Sequence, residues 1–420
     1  GNTDMYAALN GIADKNNKRI LFCKADAWTC SAQNTFTGIS GMTISGYGTG
    51  AARAAVFGAS ASDTLVDVTP AAIGGSVFNF NAGNSDIRIH NFKINGNAAA
   101  KAVGLNNSIS AILFSKVELR GSSGGFTAYP GGGGTNNVFD QHCMYECLAD
   151  DYAIGSSSGF SVFVGLVRGG IMGCYIDQCN RGEGPFRIPF IDRGHINNNY
   201  IARPNATKNV LKIHSFSFTD VPLYSEKFVV SANVLDLRGG YSYNGTTVTE
   251  VGDCGILIGN GGNYAIEADR ERVRNGIVES NYTYGCRGDP KVLYFVTISC
   301  PNMTVRNNIA DFLLGSTSAP YAGTYSSRGA LFCVVNSSTP DPTVGVRIYN
   351  NSLYCNMDNG TSYMVNIQGA ATAQVDIKNN ISFQPYIGYW ADKIVYLSGG
   401  ATLAAYTASN NTVNQNTDPN

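Results

Sequence analysis

Charged residues are scarce in this chain. Asp, Glu, Lys and Arg make up 14% of its 420 residues, and the formal net charge is -1. A surface for nucleic acid or for an acidic membrane needs a strong positive field, which the chain as a whole lacks. We therefore expect neither as a partner, and any attraction for a charged ligand must come from a local cluster of side chains.

Long apolar runs and helix-forming charged runs are also missing. No stretch approaches the roughly 18 to 20 consecutive apolar residues that span a bilayer. Glycine is abundant instead, with 49 residues, and Val, Ile, Tyr, Phe and Thr recur in short segments between Gly, Ser and Asn clusters. This composition is typical of an all-β protein.

Cysteine is not scarce, because the chain has 11, many for a cytosolic protein. We expect disulfides and a secreted, extracellular location, and a start at Gly1 rather than Met fits a processed product. A zinc site at His142, Cys143 and Cys147 is the alternative, but no second ligand pair with finger-like spacing follows. The cysteines closest in sequence are Cys23/Cys30, Cys143/Cys147 and Cys174/Cys179.

One short motif recurs along most of the chain. An apolar residue, a variable residue and two small or amide residues at a turn precede an aromatic or aliphatic residue that starts a new strand. Copies begin about 25 to 35 residues apart, with longer gaps where loops intervene. The copies are FDQHCMY (139–145), IMGCYI (171–176), INNNYI (196–201), VSANVL (230–235), VESNYT (278–283), VRNNIA (305–310), IYNNSL (348–353) and IKNNIS (377–382).

Such a period indicates a solenoid, in which each coil buries its inward side chains only when other coils stack on it. The unit lacks the helices of ankyrin or TPR repeats and the leucine spacing of leucine-rich repeats, so we predict coils of short parallel strands. Asparagines that recur at one turn would stack into a ladder of amide hydrogen bonds.

Residues 3–15 (TDMYAALNGIADK) predict a short amphipathic helix that closes one end of the solenoid. Thr3 is the expected N-cap, and Met5, Leu9 and Ile12 fall on one face.

Together, the cap helix, the opening ILFCKADAWTC…ISGMTISGYG and the NNxI and NNxY turns resemble pectate-lyase-like proteins and phage tailspikes. The resemblance implies an all-β, single-domain, right-handed parallel β-helix. We predict an N-terminal cap over 1–18, the β-helix over 19–400 and a C-terminal cap or tail over 401–420.

The most basic part of the chain is 181–216, where two alternating strands flank an asparagine turn. Residues two apart in a strand share a face, so core and outer residues can be assigned. We expect Phe186, Ile188, Leu211 and Ile213 to point inward, and Arg187, Lys212 and His214 to lie on an exposed outer face.

This pattern suits β-elimination on a uronic-acid polymer such as alginate. The reaction needs a group that neutralises the carboxylate, a base for the C5 proton and an acid for the leaving oxygen. Arg187 and Lys212 fall one lap apart, about 4.8 Å between neighbouring strands, which suits one sugar ring. We expect Arg187 to neutralise the carboxylate, Lys212 to act as the base and His214 to be an acid. The other expected substrate contacts are Arg193, His195, Arg238, Tyr294 and Asp151, of which His195 and Tyr294 are further candidates for the acid.

The segment GEGPFRIPF…NNNYIARP…NVLKIHS also resembles the chondroitinase B and alginate lyase group, polysaccharide lyase family 6. The resemblance implies that Lys212 is the Brønsted base, with Ser215 displaced from the family's spacing. The family's catalytic arginine would fall on the strand CGILIGN, where this chain has Leu257. Arg238 or Arg187 would then replace it.

A glycoside hydrolase is the second hypothesis. The segment ADDYAIG, with Asp150 and Asp151, resembles the paired-aspartate strand of polygalacturonase-like enzymes, with Asp140 before it and Arg193 and His195 after it. Hydrolysis needs a carboxylic acid and a carboxylate on opposite sides of the bond.

A non-catalytic β-helical adhesin or tailspike-type glycan-binding protein is the third hypothesis, and the glycine-rich loops 121–125 and 130–134 fit it equally well. No heptad repeat for a trimeric coiled coil is found, so we expect a monomer. No cofactor is required by these chemistries, although carboxylates at Asp177, Glu183 and Asp192 would suit a calcium ion that bridges to an acidic sugar.

Overall fold

The computed structural model places these elements in two compact units, one within Gly1–Ile188 and one within Pro189–Ser217 and Leu223–Asn420. They are called unit 1 and unit 2. The structure describes residues 3–57, 64–73, 75–95, 101–106, 109–121, 124–129, 140–150, 162–163, 165–177, 186–202, 209–214, 224–236, 241–243, 246–248, 254–259, 272–284, 294–311, 330–335, 343–354, 363–370, 372–384 and 394–415.

Unit 1 begins with the helix α1, Met5–Asn10, which packs against the strands Ala27–Cys30 and Asn34–Phe36. Met5 and Leu9 are buried, as the amphipathic pattern predicts. The N-cap is Asp4 rather than Thr3, because the Asp4 carboxylate accepts a hydrogen bond from the Tyr6 backbone N–H at 3.1 Å. The carbonyl of Thr3 instead accepts from the Thr29 backbone N–H.

The coils of unit 1 supply three sets of parallel strands, called A, B and C in the order in which the chain passes through them. An A strand runs into a sharp corner and continues as a B strand, and two long strands pass through that corner without a break. The A strands are Arg19–Cys23, Thr43–Tyr47, Cys143–Tyr145, Gly170–Met172 and the first halves of Ser85–Asn95 and Ser110–Arg120. The B strands are Ala27–Cys30, Thr64–Pro70, Leu148–Asp150, Tyr175–Asp177 and the second halves of the two long strands. The C strands are Asn34–Phe36, Ser76–Phe80, Lys101–Asn106, Gly124–Tyr129, Val162–Phe163 and Phe186–Ile188. The remaining elements of unit 1 are the strands Ala51–Ala52 and Leu166–Val167 and the 3₁₀ turn Ala55–Phe57.

Unit 2 is built in the same way. The A strands are His195–Asn197, Val229–Ser231, Ile277–Glu279, Thr304–Arg306, Arg347–Tyr349, Val375–Lys378 and Tyr406–Ser409. The B strands are Tyr200–Ala202, Val234–Asp236, Tyr282–Tyr284, Ile309–Asp311, Ser352–Tyr354, Ile381–Gln384 and Thr412–Gln415. The C strands are Leu211–Ile213, Cys254–Gly259, Tyr294–Ser299, Ala330–Val335, Tyr363–Gln368 and Val395–Ser398. The remaining elements of unit 2 are the short strands Ile191–Asp192, Tyr224–Glu226 and Arg272–Arg274, the hairpin Tyr241–Tyr243 with Thr246–Val248, and the 3₁₀ turn Leu403–Ala405.

Residues whose backbone is in the left-handed conformation form the corner between A and B strands. Asn198, Asn307 and Asn350 each have a φ near +55°. This region suits asparagine better than most side chains, because its short amide can bond locally. The repeated amides in the sequence therefore mark the points where the coil turns.

The residue after this corner points inward and forms the predicted asparagine ladder of unit 2. Each side-chain Nδ2 donates to the Oδ1 of the next asparagine at 2.9–3.0 Å, and that Oδ1 also accepts the backbone N–H of the first. The amides thus satisfy backbone groups that the corner leaves without strand partners. The ladder consists of Asn199, Asn233, Asn281, Asn308, Asn351, Asn380 and Asn411.

The core of both units consists of the alternate residues of the three strand sets, and they are closed to water. The all-β, parallel β-helix prediction is confirmed. The boundaries predicted for cap, β-helix and tail, and the division into domains, stay predictions. No helix among the described residues is long and apolar enough to cross a membrane.

The described part of the chain contains no disulfide. Cys23, Cys30, Cys143 and Cys147 are all thiols, so the expected disulfides do not join the neighbours Cys23/Cys30 or Cys143/Cys147 in the structure. Cys179 lies outside the described residues.

Candidate functional site

The C strands carry the residues that the sequence singled out. Phe186, Ile188, Leu211 and Ile213 have no exposed surface, so the inward assignment is confirmed. Because side chains alternate along a strand, Arg187 and Lys212 point away from the core.

Positions that face one another on successive strands are called a column. In the described C strands, Arg187 is the one charged residue of its column in unit 1, and Lys212 is the one charged residue of its column in unit 2. In unit 1 the column is Thr35, Asn79, Gly104, Thr127, Phe163 and Arg187. In unit 2 it is Lys212, Leu257, Thr297, Cys333, Asn366 and Tyr396.

The exposure of the predicted catalytic residues differs from expectation. Arg187 is 5% exposed and His214 is 1% exposed, so neither lies on an open, solvated face. Lys212 is half-buried between the core residues Leu211 and Ile213. The sequence-based expectation of an exposed cationic face is therefore wrong for Arg187 and His214, because strand alternation sets the direction of a side chain but not what covers it.

Arg193 and His195 lie elsewhere in unit 2. Arg193 occupies a left-handed corner, with a φ of 49°, and its guanidinium bonds the Asp192 carboxylate at 2.5 and 2.9 Å. His195 is exposed and opens an A strand, where it faces Val229. The structure therefore places His195 on a different sheet from Lys212, and Arg193 at the turn just before that A strand.

Three other predicted residues, Asp151, Arg238 and Ser215, lie outside the described residues. Tyr294 opens the C strand Tyr294–Ser299 and faces Cys254.

The carboxylates of the hydrolase hypothesis are engaged with arginines. Asp150 lies 3.3 Å from Nη1 of Arg120, whose Nη2 is 3.5 Å from Glu118. Asp140 bonds Arg168 through both carboxylate oxygens. Both carboxylates therefore take part in ion pairs with arginine in the structure.

A group of tyrosines and aspartates on the B strands of unit 2 was not predicted as a unit. Asp236, which is 2% exposed, accepts hydrogen bonds from Tyr200 at 3.1 Å and Tyr284 at 3.0 Å. The two phenol oxygens are 2.7 Å apart. The ring of Tyr282 stacks on that of Tyr284 with centroids 5.2 Å apart, and its hydroxyl donates to Asp311 at 3.4 Å.

Burial, and next the hydrogen bond with Tyr284, raise the pKa of Tyr200 far above its usual range. The Tyr200 phenol therefore stays neutral and donates, and it is unsuited to act as a base. The sequence signal was present in the strands VLD, YTY and IAD, but the alignment of Asp236, Tyr284 and Asp311 requires the register between coils.

The described residues contain no group of three or more His, Cys, Asp or Glu side chains arranged to hold a metal ion. His142 is 3% exposed, and its Nε2 lies 2.9 Å from the Ile109 carbonyl oxygen. Burial lowers the pKa of His142 to about 4. Of the carboxylates considered for calcium, Asp192 bonds Arg193, Asp177 accepts from the Tyr175 hydroxyl at 3.2 Å, and Glu183 is not described.

Comparison with known proteins agrees with the fold. No protein-family model matches the sequence, and no curated protein is similar to it in sequence. The A-module of a mannuronan C-5 epimerase of Azotobacter vinelandii superposes with a TM-score of 0.56 over 96% of this chain and 93% of its own, at 11% identity.

Two further structures are more distant. An endo-xylogalacturonan hydrolase of Aspergillus tubingensis is 8% identical, with a TM-score of 0.46 over 98% of this chain and 97% of its own. A tailspike protein of E. coli bacteriophage HK620, solved with a hexasaccharide, is 11% identical, with a TM-score of 0.48 over 97% of this chain and 75% of its own. The first similarity, together with the three sets of parallel strands, identifies the fold of this chain as a parallel β-helix.

Proposed function

We propose that this protein acts on an acidic polysaccharide and cleaves it by β-elimination. The observation that carries the proposal is the charge pattern of the C strands. Among the described strands, the two columns that contain Arg187 and Lys212 hold no other charged residue. A chain with so few charges has no general attraction for a polyanion, so cations placed on the C strands are suited to a localised anionic group.

The roles follow from the chemistry of elimination. Arg187 supplies a guanidinium that stays charged at all working pH values and can pair with a carboxylate through two hydrogen bonds. Lys212 supplies an amine that can remove the C5 proton once it is neutral. The column of Lys212 also contains Thr297 and Asn366, whose side-chain types bond sugar hydroxyls.

We propose His214 as the acid, with His195 and Tyr294 as the alternatives. His214 is two residues beyond Lys212 and directly follows the strand Leu211–Ile213. His195 lies on an A strand of the same unit, and we place it in substrate binding together with Arg193.

The deciding experiment separates the reaction classes. Purified protein is incubated with alginate, polygalacturonate, glucuronan, hyaluronan and chondroitin, and both ultraviolet absorbance and reducing ends are followed. Elimination creates an unsaturated uronate, so absorbance and reducing ends should rise together on at least one polymer. Reducing ends without absorbance would establish a hydrolase, and silence in both assays would favour a non-catalytic glycan-binding protein.

The epimerase similarity suggests one control. An epimerase would exchange the C5 proton with solvent without making reducing ends. Proton exchange into D₂O, measured by NMR on the same polymers, would therefore reveal a reaction in which proton abstraction is not followed by cleavage.

A further inference from the structure

The side chains that connect the A–B corners of successive coils differ between the two units. In unit 2 the inward residue after the corner is an asparagine that bonds the asparagine of the next coil, as in Asn308 and Asn351. In unit 1 the residues that follow the left-handed corner positions Asn91, Lys116, Glu146 and Gly173 are not amides. They are Phe92, Val117, Cys147 and Cys174.

Cys147 and Cys174 occupy the same position on neighbouring coils. The B strands that begin directly after them are paired in register, with Leu148 facing Tyr175. The Tyr175 backbone N–H donates to the Cys147 carbonyl at 2.8 Å. Neighbouring strands lie about 4.8 Å apart, which is inside the Cα–Cα range of about 4.4 to 6.8 Å that a disulfide spans.

The two thiols also contact each other, and they are closed to water. The Cys174 thiol interacts directly with that of Cys147, and the two residues are 1% and 0% exposed. Their contacts with carbonyl groups are long, with Cys147 Sγ 3.5 Å from the Phe114 oxygen and Cys174 Sγ 3.6 Å from the Met172 oxygen. A thiol is a weak donor, so this corner lacks the strong amide links of unit 2.

No cysteine within the described strands faces another cysteine in strand register. Cys23 faces Tyr47, Cys30 faces Pro70, Cys254 faces Tyr294, Cys333 faces Thr297 and Asn366, and Cys143 faces Leu113 and Gly170. Coil stacking therefore sets Cys147 and Cys174, which are 27 residues apart, at the same position on neighbouring coils.

We propose that Cys147 and Cys174 form a disulfide between neighbouring coils when the chain folds in an oxidising compartment. The two thiols lose two protons and two electrons as the S–S bond forms. The oxidant is a second disulfide, such as oxidised glutathione, whose S–S bond breaks to give two thiols. Exchange requires an accessible thiolate. Burial raises the pKa of Cys174 well above its usual range, so the bond forms before the corner closes.

Peptide mapping tests the proposal on the full chain. The protein is produced by secretion and, separately, in a reducing cytosol, and its thiols are blocked by alkylation before digestion without reductant. A protease that cleaves after Glu and Asp separates Cys143 from Cys147 at Glu146, and Cys174 from Cys179 at Asp177. The secreted protein should yield a Cys147–Cys174 linked peptide that reductant removes, and the cytosolic protein should yield alkylated peptides.

Stability and variants complete the test. The secreted form should unfold at a higher temperature than the same protein after reduction, because a cross-link restricts the unfolded chain. Cys174→Ser should lack the linked peptide and the difference in melting temperature, whereas Cys300→Ser, at another buried cysteine, should keep both. The proposal is overturned if Cys147 and Cys174 are alkylated in the secreted protein, or if either is linked to another cysteine. The wild-type map alone decides this, even if a variant fails to fold.

Discussion

Lys212 is a half-buried cation between two core residues, and its proposed role as base gives the first prediction at the scale of single residues. Lys212→Ala should reduce turnover by about 100-fold to 10,000-fold, the usual contribution of a general base. The melting temperature should change little, because the amine contributes little to packing.

The matched control is Lys378→Ala. Lys378 is an exposed lysine at the end of an A strand, 3.8 Å from Asp376. It should keep wild-type turnover in the assay that shows activity. Equal activity in the wild type and in Lys212→Ala would remove Lys212 from the mechanism.

Thr283 gives a second prediction at the scale of single residues, on the free energy of unfolding. Its side chain is 0% exposed, and within the described part of the chain its hydroxyl has no hydrogen-bond partner. Thr283→Val keeps the branched shape and removes the buried hydroxyl, so the free energy of unfolding should rise by about 1 kcal/mol or more. Thermal or denaturant unfolding measures this, and a destabilised variant would show that the hydroxyl is satisfied.

The buried His142 side chain should make the free energy of unfolding depend on pH. Its pKa is lowered to about 4 by burial, against about 6.5 when unfolded. Between these values the unfolded chain binds a proton that the folded chain does not, so stability falls as pH drops from about 6.5 to about 4. The loss should be on the order of 3 kcal/mol.

A variant isolates this contribution from that of the carboxylates. His142→Gln keeps an N–H donor for the Ile109 carbonyl and does not titrate. The difference in unfolding free energy between wild type and variant should therefore change across this pH range and be flat above it. A difference that is constant with pH would show that His142 is not the titrating group.

At the scale of elements, the asparagine ladder is the feature that joins one coil of unit 2 to the next. The Oδ1 of Asn308 accepts both the backbone N–H and the Nδ2 of Asn281, and its own Nδ2 donates to Asn351 and to the Val278 carbonyl. Asn308→Ala leaves several buried polar groups without partners, so it should cost about 3 to 5 kcal/mol.

The neighbouring Asn307 is the control. Its side chain is exposed, and its backbone is in the left-handed conformation, which glycine adopts freely. Asn307→Gly should be nearly neutral in the same unfolding experiment. Equal effects of the two variants would mean that the ladder hydrogen bonds contribute little.

The elements were largely predictable from sequence because the coil repeats. Inward residues such as Ile188 and Leu211, the helix over Met5–Asn10 and the stacked asparagines follow from strand alternation, amphipathic spacing and repeated amides. The N-cap of the helix could not be predicted in the same way, as Asp4 shows. Thr3 and Asp4 are both good N-caps, and only the backbone path decides between them.

For the whole molecule, the low charge predicts how substrate binding responds to salt. The net charge is -1, so attraction for a polyanion rests on few cations. The Debye length is about 10 Å at 0.1 M ionic strength. In the activity assay, kcat/KM on an acidic polymer should therefore fall as ionic strength rises through this range.

Sucrose at matched osmolality should leave kcat/KM unchanged. A rate that is insensitive to salt would argue against binding through the charges of Arg187 and Lys212.

The sequence by itself determined that this protein is a parallel β-helix, where its coils turn and which strand residues enter the core, since these follow from local periodicity. Tertiary structure decided the rest. It buried Arg187 and His214, engaged Asp150 with Arg120, grouped Tyr200 with Asp236 and Tyr284, and set Cys147 beside Cys174. The physical reason is register: residues some 27 to 48 positions apart meet only when coils stack, and short sequence motifs do not encode which of them become neighbours.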